Sequence, residues 1–136
     1  MPGGSAGHDG RKRGRLSRSG DFDRVYRDGR SHSNRFLVLY AFPRATDDDD
    51  QAEADADVRL GVSVSRKVGG ATERNAVKRA LREAFWALGD RLPEGYDFVL
   101  VARPDVAGLV EREGTTGAET ALTDLFAESG ISGAGA

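Results

Sequence analysis

RKVGGATERNAVKRALREAFW, residues 66–86, reads as a loop followed by a helix, and the rest of the chain is arranged around it. Gly69 and Gly70 separate the two parts. The Thr72 hydroxyl is placed to cap the helix, and Glu73 suits its first turn, where the helix dipole favours negative charge. At roughly 100° per residue, Arg74, Asn75, Lys78, Arg79 and Arg82 fall within an arc of about 140°. Val77, Ala80, Leu81, Ala84, Phe85 and Leu88 fall on the other side. One face therefore packs, and the other is a cationic stripe with an amide in it. A charge run is ordinarily just a solvated face. Such faces mix signs, because like charges at i,i+4 repel by about 0.2–0.5 kcal/mol. Arg74, Lys78 and Arg82 instead put like charges at successive i,i+4 positions. A polyanion would neutralise that repulsion, and Asn75 adds a neutral donor and acceptor for sugar or phosphate.

Working outward, Arg59–Ser65 is a strand that leads into this loop, with Leu60, Val62 and Val64 on one face. After a turn over Gly89–Gly95, Tyr96–Ala102 is a strand rich in β-branched and aromatic residues. Asn34–Phe42 is a strand apolar on both faces, so it is either covered on both sides or lines a cleft. Ser19–Gly29 is a short helix that Ser19 or Asp21 can cap and that Gly29 can end in the left-handed conformation. Phe22, Val25 and Tyr26 share one face of it. Val25 reads as core. Phe22 and Tyr26 fit either core packing or the stacking of single-stranded bases. Val106–Glu113 is ambiguous between loop and a helical turn, and Thr116–Glu128 is a final helix with Ala121, Leu122, Leu125 and Phe126 as its core stripe. These elements give one α+β domain over residues 15–128. Residues 1–14 are expected to be a disordered basic tail, 45–57 an acidic loop and 129–136 a loose end. In the tail, Arg11, Lys12, Arg13 and Arg15 form a basic arm that is either a flexible tail or a phosphate clamp ordering on RNA.

The 136 residues suffice for one domain with a real core. No cysteine is present, so disulfides and thiolate metal sites are excluded. The two histidines, His8 and His32, are too few for a zinc site. There is no apolar run of about 18 residues and no secretory leader, so the expected setting is the cytoplasm, without membrane. The net charge of −2 conceals strong segregation. Residues 1–44 carry +6, 45–57 carry −7, 58–82 carry +6 and 83–136 carry −7. Binding follows the local field within about 8 Å at physiological salt, so a basic face survives an acidic total. The run Asp47–Asp50 lacks the spacing and glycine turn of a calcium loop and reads as solvated. No Ser/His/Asp set or other catalytic constellation is visible.

The stretch Arg59–Phe85 closely resembles the signature of the bacterial ribonuclease P protein subunit, a Lys-x-Gly turn followed by Arg-Asn-x-x-Lys-Arg-x-x-Arg. Here it is Lys67, Gly69, Arg74, Asn75, Lys78, Arg79 and Arg82. Ala76 stands where many members have a second Arg, and Gly70 where many have Asn. Both thin the contact set. The chain also departs from the strongly basic charge usual in the family. The resemblance covers about Arg15–Phe126. It implies a four-stranded mixed sheet packed by about three helices on one side, a fold like the second domain of ribosomal protein S5. It also implies a left-handed β-α-β crossover, where pattern alone would give the usual right-handed one.

The resemblance further implies a subunit of an endoribonuclease whose RNA component, with magnesium, removes the 5′ leader of precursor tRNA. The protein would supply binding rather than catalytic side chains, with no cofactor or metal of its own and no protein partner. Arg66, Lys67, Gly69, Arg74, Asn75, Lys78, Arg79 and Arg82 would then contact ribonuclease P RNA. Phe22, Tyr26 and Tyr40 would take the single-stranded leader. The competing readings are a stand-alone RNA- or DNA-binding protein using the same stripe, a metal nuclease using Asp47–Asp50, and an interaction protein whose charges only keep it soluble.

Overall fold

The computed structural model describes residues 13–16, 18–44 and 57–131. Across them run β1 (Arg13–Arg15), α1 (Ser19–Asp28), β2 (Arg30–Ser33), β3 (Leu37–Pro43) and β4 (Val58–Ser63). Then come α2 (Ala71–Trp86), a 3-10 turn (Gly89–Arg91), β5 (Tyr96–Ala102) and α3 (Asp105–Ser129). The α+β class is as expected, but the sheet has five strands rather than four, in the order β1-β4-β5-β3-β2. β4 pairs in parallel with both β1 and β5, while β3 is antiparallel to β5 and β2 to β3. The two strands that sequence reasoning missed are both edges. β1 (RGR) and β2 (RSHS) are polar and short, so backbone hydrogen bonds hold them and no apolar alternation announces them. Arg13 and Gly14, read as the end of a tail, belong to β1. Residues 1–12, 45–56 and 132–136, on which disorder was expected, lie outside the described residues.

The helices are not confined to one side, as the resemblance implied. α2 and α3 cover one face, where Leu37, Leu39, Phe98 and Leu100 of the sheet meet Val77, Leu81, Phe85, Leu122, Leu125 and Phe126. Phe85, Phe98 and Phe126 meet there with ring centroids 5.3–6.3 Å apart. α1 covers part of the opposite face, packing Val25 with Leu16 of the β1 end and Val99 of β5. That is why β3 is apolar on both faces: alternate residues meet different helices.

Helix ends follow backbone constraints more than the expected side-chain caps. α1 starts after Arg18 without a side-chain cap, and its Asp21 is buried against Arg24 instead. Gly29 is extended, with φ −83°, not left-handed. It is needed because a Cβ there would stand 2.6 Å from the Val25 carbonyl oxygen and 2.8 Å from that of Ala41. The ambiguous segment 106–113 is helix, and α3 continues through a break at Gly114, whose φ of 64° favours glycine.

Candidate nucleic-acid interface

α2 presents the two faces that its spacing demands. Val77, Ala80, Leu81, Ala84 and Phe85 are buried against the sheet and α3. Arg74, Lys78 and Arg82 are half-buried along the outer side, and Asn75 and Arg79 are exposed. The Arg74 Nε is shut from solvent with no acceptor among the described residues. The expected Thr72 cap does not form. Glu73 reaches back instead, and its Oε1 accepts the Gly70 amide N–H at 2.7 Å, which fixes the loop on the helix. That loop is pinned from below by buried Val68. Ser65 Oγ accepts the Lys67 amide at 3.2 Å, leaving Arg66 and Lys67 exposed beside the first turn of α2.

β1 adds cations to the same side. Arg13 lies over Trp86, its guanidinium carbon 5.0 Å from the ring centroid. Burial, and then the neighbouring Arg15, hold the Arg82 guanidinium below its ordinary value, although arginine stays charged throughout the physiological range. Arg11 and Lys12 lie outside the described residues.

The other face of the sheet carries the aromatic residues. Strand register sets Gly61, Val99 and Tyr40 in one transverse row. Phe22 of α1 lies over Gly61, where a Cβ would come within 2.6 Å of its ring, so any larger residue there would push the ring aside. Tyr26 closes on Tyr40 edge to face at 4.9 Å and on Phe22 at 6.1 Å. Tyr26 is the one large hydrophobic side chain left exposed among the described residues, at 37 %. Phe22 and Tyr40 are half-buried. Burial raises the Tyr26 phenol above its ordinary value; the hydrogen bond with Ser63 opposes this, and Tyr40 and Asp23 add to it. The ring is therefore neutral at physiological pH, a form suited to stacking. Sequence reasoning found the rings but not Gly61 and Ser63 beneath them. A glycine inside a strand pattern is the signal that marks such a close approach.

The next row on this face is ionic. Arg59, Asp97 and Phe42 stand in register across β4, β5 and β3. Asp97, fully buried, accepts from Arg59 Nε at 2.8 Å and Nη2 at 2.6 Å. Arg44 Nε stands 3.4 Å from it and Arg24 Nη2 3.7 Å. Arg24 also lies over the Phe42 ring at 5.6 Å. The carboxylate thus ties α1 to the sheet below the aromatic row. Among the described residues no group of His, Asp and Glu side chains could hold a metal ion, and no helix is long and apolar enough to cross a membrane. Asp47–Asp50 lie outside the described residues.

A cationic helix on one side of a mixed sheet and a partly exposed ring cluster on the other define an RNA-binding α+β protein. Known proteins give that class a family. The ribonuclease P family matches residues 11–125. A Bacillus cereus ribonuclease P protein component is 32 % identical over 123 residues, covering 90 % of this chain and 93 % of the relative. A solved Staphylococcus aureus RNase P protein superposes with a TM-score of 0.69 at 29 % identity, covering 86 % of this chain and 95 % of that one. The Thermotoga maritima RNase P protein gives 0.67 at 31 %, covering 82 % and 93 %. The chain belongs to the ribonuclease P protein family, the protein component of a ribonucleoprotein endoribonuclease of tRNA processing.

Proposed function

We propose that this chain binds ribonuclease P RNA through the outer face of α2 and the Arg66–Gly70 loop, and the 5′ leader of precursor tRNA through Phe22, Tyr26 and Tyr40. Cleavage belongs to the RNA subunit with its magnesium, and the protein contributes affinity and placement. The observation that carries this reading is the unbroken i,i+4 row Arg74, Lys78, Arg82, half-buried and facing away from the core. Such a row is suited to neutralising backbone phosphates, which supply a large share of nucleic-acid affinity. The ring cluster suits a leader of variable sequence because stacking reads no bases. Arg13 and Arg15 of β1 extend the cationic side, and Arg11 and Lys12 precede them in the sequence.

The direct test is reconstitution: the purified protein, a bacterial ribonuclease P RNA and precursor tRNA at low magnesium. Faster cleavage than by the RNA alone is expected. RNA binding without stimulation would leave a stand-alone RNA-binding protein, and cleavage by the protein alone would point to a nuclease. The leader contact has its own measurement. Tyr26→Ala should weaken holoenzyme affinity for precursor tRNA by about 1–3 kcal/mol, the value of one stacked base, and leave mature tRNA binding unchanged. Exposure of Tyr26 predicts little loss of melting temperature. Equal losses for both substrates would return the ring to a purely structural role.

A further inference from the structure

On the α1 face β4 presents Arg59, Gly61 and Ser63, alternate residues of an inner strand that lies between β1 and β5. The two small residues stand where the rings are. A Cβ on Gly61 would meet Cζ of Phe22 at 2.6 Å and the Cβ of Leu16 at 3.1 Å. Leu16 is buried, whereas the Phe22 ring is the far end of a rotatable side chain, so the ring is what would move. The backbone does not ask for glycine there, since Gly61 has no positive φ. A glycine inside a strand also weakens it. What Gly61 provides is room for the ring. Ser63, two residues on, is hydrogen-bonded through its hydroxyl to the Tyr26 phenol. Tyr26 is the most exposed of the three rings and meets Phe22 and Tyr40 edge to face, at 6.1 and 4.9 Å. The Ser63 bond anchors its far end to the sheet.

We infer that Gly61 and Ser63 are positioning residues for the leader: Gly61 lets Phe22 sink onto the sheet, and Ser63 holds Tyr26 beside it, so the rings are set before an unpaired base arrives. The inference rests on the leader being bound by Phe22, Tyr26 and Tyr40. Its physical sense is preorganisation. A side chain already locked by packing and a supporting hydrogen bond loses little rotamer freedom when a base stacks on it.

Each residue acts through one ring, so paired variants separate positioning from packing. Holoenzyme reconstituted with a bacterial ribonuclease P RNA would be titrated with precursor tRNA and with mature tRNA. One set is Gly61→Ala, Phe22→Ala and their double variant; the other is Ser63→Ala, Tyr26→Phe and theirs. Gly61→Ala should raise Kd for precursor tRNA about five- to tenfold, the lower part of what one stacked base contributes. Ser63→Ala should raise it about two- to fivefold, in the range of one neutral hydrogen bond. Mature tRNA should bind as before. Gly61→Ala should add nothing in the Phe22→Ala background, and Ser63→Ala nothing in the Tyr26→Phe background. Additive losses within a pair, or equal losses for the two tRNAs, would overturn the inference. If Gly61→Ala does not fold, the Ser63 pair decides alone: its loss must be confined to precursor tRNA and vanish in the Tyr26→Phe background. Tyr26→Ala serves as the reference. If it costs precursor affinity while Gly61→Ala and Ser63→Ala cost none, only the positioning role is lost. If Tyr26→Ala itself costs none, the assignment of the rings to the leader fails.

Discussion

Arg74→Ala combined with Lys78→Ala should weaken assembly with ribonuclease P RNA by at least about a hundredfold, since charge-assisted hydrogen bonds contribute about 1.5–3 kcal/mol each. The slope of log Kd against log salt should fall by about one unit for each phosphate no longer neutralised, hence by about two. The fold should survive, because both side chains point away from Leu81 and Phe85, which hold α2 to the sheet. Relief of the i,i+4 repulsion should even steady the isolated helix slightly. Fluorescence or filter titrations at several salt concentrations, with thermal melts of each variant alongside, make the measurement. A steep slope retained in a well-folded double variant would move the RNA face elsewhere on the molecule.

Asp97→Ala should cost about 3–5 kcal/mol of folding stability, the usual effect of removing one side of a buried ion pair. The reason is local. Arg59 is only 4 % exposed and reaches Asp97 through two hydrogen bonds, so it is left charged in a place it cannot leave. Arg44 and Arg24 would then add repulsion in place of attraction. Arg24→Ala is the control. Its side chain is 37 % exposed and can turn to water, so its loss should cost well under half as much. Chemical denaturation of both variants reads the difference. Equal small losses would show that water reaches the cluster and that Asp97 is not the tie between α1 and the sheet.

The helix with the stripe was legible in sequence because burial and charge share one 3.6-residue period there, and nothing in the chain opposes it. The inner strands were legible for a similar reason: β4 and β5 carry long apolar or alternating runs. The outer strands were not. Arg30–Ser33 has no apolar residue at all and is a strand only because Leu37–Pro43 offers it a backbone ladder. The same limit applied to Asp97. An aspartate in the apolar run YDFVLVA has no local meaning, and its partner Arg59 lies in another strand, brought opposite only by register. Trp86 was visible as the end of the helix, but its contact with Arg13 depends on a parallel pairing that no local pattern encodes. The aromatic residues were found by helix spacing and resemblance. The row they occupy needed the register of Gly61, Val99 and Tyr40.

The parallel pairing of β1 with β4 has a kinetic side. Among the described residues, the β2–β3 hairpin is the one sheet pairing between strands joined by a short turn; the others join segments far apart in the chain. Loop closure must be completed before such contacts repay it, so they form late and slowly. β4 pairs with β5 only once α2 has crossed between them, and β1 then adds to the outer edge of that unit. Arg13 should therefore reach Trp86 among the last native contacts, after the core under α2 has closed. In stopped-flow refolding, the tryptophan signal that reports this contact should lag behind helix formation. A half-folded chain would lack its full cationic surface, so RNA would be gripped completely only by molecules whose folding has finished.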